Sequence, residues 1–432
     1  MAYYADFHIH SRFSRATSQS LTLPVLNDYA RKKGIKVLGT GDFTHPMWFE
    51  EIKHYLEPAA EDGLFILKKA PDDAVRFILS VEISSIYQQG GRTRRIHTIV
   101  ILPSLEAVDN FNRSLASRGA KLSSDGRPIV GLSAKQLAEI AFATHSQAIV
   151  IPAHVWTPWF SVFGSMSGFD SLEECFEELT PKIMAIETGL SSDPLMNWRL
   201  SALDDVALVS SSDAHSAAKI AREATKFDGE LSYSGIFEAL KYGSPAKLSS
   251  KVLAGQSTKL IGTIEFFPEE GKYHFDGHSA HQVRQSPAET KANGGACPIC
   301  GRPVTVGVLS RVEALADRPE NFKPGGAPEF WSLVPLEEII AESVGTRVGT
   351  KKVSVVYESL LQAFGDELAI LLDLPIEKIE SVAQSTVAEA VKRVRSGQLH
   401  IEPGYDGEYG TVHIFDSKDR QQFEPPQQAS LF

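Results

Sequence analysis

The sequence predicts a seven-stranded α/β barrel followed by a small metal-binding module and a helical one, and three observations carry that expectation. Over roughly the first 245 residues, short apolar runs of strand character alternate with polar turns and helical stretches. Acids and histidines gather at the ends of those runs. After about residue 250 the texture changes, first to a segment rich in Gly, His and Cys and then to amphipathic helices.

The strand-like runs are Tyr3–His10, Ile35–Leu38, Phe77–Val81, Ile96–Leu102, Ala148–Ile151, Lys182–Ile186 and Val206–Val209. Seven such strands in parallel would close a barrel whose chemistry sits at the carboxyl ends of the strands. Asp42 and His45 follow the second run, Glu82 closes the third and His97 lies inside the fourth. His154 follows the fifth, Glu187 closes the sixth, and Asp213 and His215 follow the seventh. The barrel is expected over residues 1–250, the small module over 251–330 and the helical module over 331–415, with a polar tail over 416–432 expected to be disordered. In the helical part, Val353–Leu372 and Ile376–Arg395 carry apolar residues at helical spacing.

Bulk properties narrow the function. A chain of 432 residues, 43% hydrophobic and 22% charged, is long enough for two or three domains. No run approaches the ~18 apolar residues of a membrane span, and the start lacks the segments of a signal peptide. A cytoplasmic protein without a membrane partner is expected. The net charge of −11 excludes indiscriminate coating of nucleic acid, so any DNA contact must come from local basic patches. Three cysteines, Cys175, Cys297 and Cys300, exclude a disulfide framework, and Cys175, in a helical stretch, reads as a packed core residue.

In Asp6-Phe7-His8-Ile9-His10 the period of a strand places the three polar side chains on one face. A single histidine near a strand end is usually a hydrogen-bonded core residue. Here Glu82, His97, His154, Asp213 and His215 accompany the pair, and together they supply the mixed imidazole and carboxylate donors that suit zinc, manganese or iron. Several ions a few ångströms apart acidify water to hydroxide and neutralise a phosphate ester, so hydrolytic phosphoryl transfer is the expected chemistry. Asp6, Glu187 and Asp42 are candidates to orient ligands, with helix-cap or turn duty as the alternative.

The motifs D-x-H-x-H-S, a strand-end acid, I-x-H, P-A-H and S-D-A-H resemble the PHP (polymerase and histidinol phosphatase) superfamily. The resemblance implies a distorted seven-stranded β/α barrel. It assigns one ion to His8, His10, Glu82 and Asp213 and a second to Glu82, His97 and His154, with Glu82 bridging. A third ion would use His215, with Asp42 or His45 replacing ligands that the superfamily often carries and this chain lacks at Ser14-Arg15-Ala16 and Gly41-Asp42-Phe43-Thr44-His45. The implied cofactors are two or three divalent ions, Zn, Mn or Mg, and Asp213, Glu82 and His215 are the implied catalytic residues.

Cys297-Pro298-Ile299-Cys300-Gly301 has the form of a zinc knuckle. Two thiolates leave a tetrahedral site half complete, and His278 and His281 are the expected partners, with His274 as the alternative. A redox dithiol is the competing reading. With this module included, most of the chain resembles one PHP subgroup, endonuclease Q, through Ser124-Asp125-Gly126-Arg127-Pro128, Ile151-Pro152-Ala153-His154-Val155-Trp156-Thr157-Pro158-Trp159, Glu187-Thr188-Gly189-Leu190-Ser191-Ser192-Asp193-Pro194, Tyr273-His274-Phe275-Asp276-Gly277-His278 and Gly404-Tyr405-Asp406-Gly407-Glu408-Tyr409-Gly410. That subgroup is expected to carry cysteine where this chain has His281. The resemblance implies a repair endonuclease that cuts DNA 5′ to deaminated bases (uracil, hypoxanthine, xanthine) or at abasic sites.

Candidate DNA contacts are Arg94 and Arg95 before the His97 strand, Arg347, Lys351 and Lys352 beside Gly-exposed backbone, and the basic run Lys392-Arg393-Val394-Arg395. Trp156 and Trp159 beside His154 are candidate base contacts, with barrel packing as the competing reading. The terminal Gln428-Ala429-Ser430-Leu431-Phe432 resembles the peptide that docks on the bacterial sliding clamp, with Gln428, Leu431 and Phe432 as anchors. Two other function classes remain open on sequence alone: a phosphatase acting on a small phosphomonoester such as histidinol phosphate, and a non-catalytic DNA-binding scaffold.

Overall fold

The computed structural model describes residues 1–70, 75–249, 257–416 and 419, so the clamp-like residues Gln428, Leu431 and Phe432 lie outside the described residues. Ala2–Asp6 pairs in parallel with Ile35–Gly39, which pairs in parallel with Arg76–Gln89. There the expectation of an all-parallel ring fails. Arg76–Gln89 and Arg92–Leu102 form one long antiparallel hairpin, in register from Gln89↔Arg92 to Leu79↔Leu102, and Arg92–Leu102 runs antiparallel to Ile149–Pro152 as well.

The cause is local. Gly90 and Gly91 have φ of 61° and 72°, and positive φ at both central residues is what the tightest hairpin turns need. A turn this short leaves no chain for a crossover helix. As a result His97 lies opposite Ser84, two residues from Glu82, and the period of the strand puts Glu82 and His97 on one face.

Ala185–Glu187 and Ala207–Val209 form a separate parallel pair. The ring closes through an Ile9↔Ala214 bridge, in which the His10 N–H donates to the Ala214 carbonyl at 3.1 Å. The first strand stops at Asp6 rather than His10, and Asp6 joins neither donor group. Its carboxylate instead accepts the backbone N–H groups of Ser212 (3.0 Å) and Ala221 (3.1 Å). On its other flank Ala2–Asp6 pairs antiparallel with Ala224–Gly229, which pairs antiparallel with Thr258–Glu265.

Alternating residues fill two layers. Phe7, Ile99, Ile101, Ile149, Ile151 and Val209 pack in the barrel interior, while Leu79, Val81, Val100 and Val150 face outward onto Leu26, Trp48 and Phe111 of the surrounding elements. The small strands Asp276–His278 and Val283–Gln285 pair antiparallel, and Phe275 bridges to Tyr405 near the hairpin His400–Glu402/Thr411–His413. The helices Leu336–Ser343, Lys351–Phe364, Glu367–Leu372, Ile376–Glu380 and Ser385–Ser396 follow, so the stretch expected over Val353–Leu372 breaks at Gly365. They reach the barrel through Lys33, whose buried Nζ is 2.5 Å from the equally buried Glu367. Among the described residues no helix is long and apolar enough to cross a membrane.

Candidate metal centre

Two groups of donor atoms meet at one end of the barrel. His8, His10, Glu82 and Asp213 form the first and Glu82, His97 and His154 the second, with the donor atoms of each group all within 4.8 Å of one another. The two oxygens of Glu82 divide between them. Oε2 lies 3.3 Å from His10 Nε2 and 3.5 Å from His8 Nε2, while Oε1 lies 2.6 Å from His97 Nδ1 and 3.1 Å from His154 Nε2. Asp213 Oδ1 completes the first group at 3.2 Å from His10 and 3.5 Å from His8.

The donor set fits divalent ions on an observation independent of spacing. His8 Nε2 is buried with no hydrogen-bond partner, a costly condition unless the lone pair meets a cation. Glu187 sits 3.0 Å from His8 Nδ1, and Asp42 sits 3.1 Å from His10 Nδ1. A carboxylate on Nδ1 fixes the proton there and leaves Nε2 as the donor to a metal. Thr157 Oγ1 is 3.2 Å from His154 Nδ1, and the His154 backbone N–H donates to Glu187 at 2.9 Å.

The field of the site favours positive charge. Burial alone would lower the pKa of His8, but Glu187, Glu82 and Asp213 outweigh it and hold the imidazole well above its ordinary value. Burial likewise opposes ionisation of Glu82, yet His97, Arg127 and His8 keep it well below the usual carboxylate range. His97, where burial dominates, is pushed down to about 4 and is neutral near pH 7. Asp42, His154 and Asp213 have φ of 51°, 29° and 46°, a left-handed backbone that costs a non-glycine residue about 1 kcal/mol or more. Three such residues in one cluster mark a place where the fold accepts strain to aim side chains.

Other expected residues divide. His215 lies beside His10, with ring centroids 4.6 Å apart and the rings tilted, and its Nδ1 lies 2.9 Å from the Asp213 carbonyl. Asp42 spends Oδ1 on His10 and Oδ2 on the Ser11 N–H (2.7 Å) and the hydroxyls of Ser11 (2.7 Å) and Ser14 (2.8 Å), so it braces a ligand rather than facing the donor groups. His45 stacks on Phe13 at 4.4 Å, ahead of the helix Pro46–Tyr55, and joins neither group. One contact escaped sequence reasoning: Arg127 Nη1 is 2.9 Å from Glu82 Oε2. Its motif was visible, but a loop arginine carries no periodic signal.

At the second module His278, His281, Cys297 and Cys300 converge within 4.8 Å, with Cys297 Sγ 3.4 Å from His281 Nδ1 and Cys300 Sγ 3.5 Å from His278 Nδ1. A Cys₂His₂ set is the usual closed tetrahedral zinc site. His274, the alternative, is buried against Phe275 and stays outside the set. Asp406 ties the Gly-Tyr-Asp-Gly turn to this module by accepting from the Ser279 N–H (2.7 Å) and the Thr305 hydroxyl (2.6 Å).

Among the DNA-contact candidates, Arg347, Lys351 and Lys352 are exposed, and Trp159 is half-buried with its ring 5.3 Å from that of Tyr273. Other candidates have structural duties. Trp156 is fully buried, donates to Asn197 Oδ1 at 2.8 Å and packs on Phe163, which removes it from any base. Arg94 lies 4.0 Å over the Phe169 ring and donates to the Gly168 carbonyl, while Arg95 lies 5.6 Å from the Phe160 ring. In the last basic run Arg395 donates to the carbonyls of Leu371, Ile370 and Leu374, so it closes a helix end.

Comparison with known proteins follows the same outline. The chain superposes on the lesion-specific endonuclease PfuEndoQ from Pyrococcus furiosus with a TM-score of 0.82 and 31% identity, covering 98% of this chain and 100% of that one. The chain belongs to the endonuclease Q family. A structure of Endonuclease Q with a 27-mer duplex bearing an abasic lesion at the active site matches equally, at TM-score 0.82 and 31% identity over 97% and 98% of the two chains. Residues 335–398 match the family described as the MJ0043 C-terminal domain. MJ0043 of Methanocaldococcus jannaschii is 32% identical over 265 residues, 61% of this chain but only 32% of that protein's length. YqxK of Bacillus subtilis is 29% identical over 428 residues, 95% of this chain and 98% of that one.

Proposed function

We propose that this chain is a metal-dependent DNA endonuclease that hydrolyses the phosphodiester 5′ to a deaminated base or an abasic site. The observation that carries the reading is the division of the Glu82 carboxylate between two buried donor groups, in a chain alike over its whole length to a lesion-specific endonuclease. The abasic duplex in the related complex supports the choice of substrate.

His8, His10, Glu82 and Asp213 would hold one divalent ion, and Glu82, His97 and His154 a second. Such ions supply acidified water and neutralise charge on the phosphate. The protein's part is to present the ligands already oriented. Glu187 and Asp42 hold the Nδ1 protons of His8 and His10, so that both Nε2 atoms face inward. The Asp213 carbonyl engages His215 Nδ1 and leaves Nε2 for a third ion or for the departing oxygen. A Cys₂His₂ zinc would hold the second module in shape, exposed Arg347, Lys351 and Lys352 would take phosphates along the duplex, and Gln428, Leu431 and Phe432 would tether the enzyme to a sliding clamp.

The test is incubation of the full chain with Mn²⁺, Mg²⁺ or Zn²⁺ and duplexes carrying one uracil, hypoxanthine, xanthine or abasic site. A nick at the lesion and none in undamaged duplex is the expected result. Hydrolysis of p-nitrophenyl or histidinol phosphate alone would replace this reading with a phosphatase. Lesion binding without a nick would replace it with a scaffold.

A further inference from the structure

The loop that carries Arg127 is fastened to the mouth of the barrel on both sides. Asp125 Oδ1 accepts the N–H groups of Arg15 (3.3 Å) and Arg127 (3.2 Å), the Gly126 N–H donates to the Phe13 carbonyl (2.9 Å), and the Ser84 N–H donates to the Pro128 carbonyl (3.0 Å). Position 126 has to be glycine for this docking: a Cβ there would stand 2.3 Å from Asp42 Oδ2 and 2.5 Å from Ser14 Oγ. The same Asp42 braces His10, so the loop and the donor cluster share a foundation.

From this mount Arg127 reaches the cluster. Its side chain is 28% exposed while Glu82 is fully buried, so the guanidinium spans from solvent to the bridging carboxylate. Among the described residues, Nη1 is the one guanidinium nitrogen of Arg127 with a hydrogen-bond partner. The rest of the planar fork is uncommitted.

Once Glu82 and Asp213 are shared with divalent ions, a permanent cation beside them is favourable only when a further anion enters the space. Arginine is also the side chain whose fork matches two oxygens of a phosphate. Both facts ask for the same occupant. We propose that Arg127 is the phosphate-binding arginine of this centre, donating to the non-bridging oxygens of the scissile phosphodiester on the open side of the donor groups. The proposal rests on the phosphodiesterase reading and adds a substrate-holding residue to it.

The test compares wild type, Arg127→Ala and Arg127→Lys, each loaded with Mn²⁺, by three measurements: metal content, calorimetric affinity for inorganic phosphate, and single-turnover incision of an abasic-site duplex. Arg127→Ala should keep the wild-type metal content, bind phosphate about 10-fold or more weakly, and incise about 100-fold more slowly. Arg127→Lys should recover part of the phosphate affinity, because it restores the charge without the fork. Unchanged phosphate affinity, or loss of metal in both variants, would overturn the proposal and make Arg127 a structural partner of Glu82. If wild type binds phosphate through Arg127 yet cuts no duplex, the endonuclease reading fails while the phosphate site stands.

Discussion

The Glu187 carboxylate lies 3.0 Å from Nδ1 of His8, with both side chains about 99% buried. This pair orients a candidate metal donor, His8 Nε2, which has no hydrogen-bond partner of its own.

Glu187→Ala should therefore weaken metal binding about 10- to 100-fold without removing a ligand atom. Metal titration followed by calorimetry measures it. Asp42→Asn should act in the same sense through His10, whereas His45→Ala, which alters a ring stacked on Phe13, should leave metal affinity unchanged. Equal losses from all three variants would contradict this division of labour.

The sequence carried the identity of most of these residues because the candidate donors follow strand ends, and strand ends are marked by apolar runs. It carried their geometry less well. Gly90-Gly91 is a hairpin signal, but apolar runs look alike in parallel and antiparallel strands, so periodicity alone does not give the direction of the His97 strand. Asp42 and His45 both follow the second run, and spacing alone does not separate a residue that braces His10 from one that stacks on Phe13. Trp156 and Trp159 differ by three positions and look alike as aromatics. Only packing shows that Trp156 is bonded to Asn197 in the core.

The Cys₂His₂ cluster should hold one zinc per chain. Cys297→Ser should lose it and open Gly271–Pro303 to proteolysis, while His281→Cys should retain it, because a thiolate serves the same tetrahedral position. Zinc content and limited proteolysis read both outcomes. Full zinc retention in Cys297→Ser would exclude the assigned ligand set.

Lys33 and Glu367 join the helix Leu23–Lys33 to the helical segment, and Tyr357 OH (2.8 Å) and the Leu336 N–H (3.0 Å) complete the carboxylate's bonds. Lys33→Met strands a buried, hydrogen-bonded carboxylate and should cost about 3–5 kcal/mol. Replacing both partners by apolar residues should recover much of that loss. Urea denaturation of the single and double variants tests it, and additive losses would contradict the coupling.

Glu265 and Glu223 form a buried acid pair away from the metal ligands, and Glu265 Oε1 and Glu223 Oε2 have no hydrogen-bond partner. Burial, reinforced by Asp193 at Glu265 and by Glu265 and Glu187 at Glu223, raises both above the ordinary carboxylate range, against the pull of Arg222 and of the Thr188 and Ser210 hydroxyls. An acid whose folded pKa is raised binds more protons folded than unfolded, so stability is lost as pH rises from the ordinary carboxylate value through the raised one. Glu265→Gln should flatten that decline, and melting temperatures from pH 5 to 9 will show it. A variant curve parallel to wild type would contradict the linkage.

The most direct measurement is to map the cut in an abasic-site duplex labelled on either strand end, using Mn²⁺-loaded protein, chelator-treated protein and Asp213→Ala. The expected result is a single break immediately 5′ of the lesion, abolished by the chelator, restored by added metal and lost in Asp213→Ala. A break elsewhere, or the same break in Asp213→Ala, would contradict an endonuclease centred on the two donor groups that share Glu82.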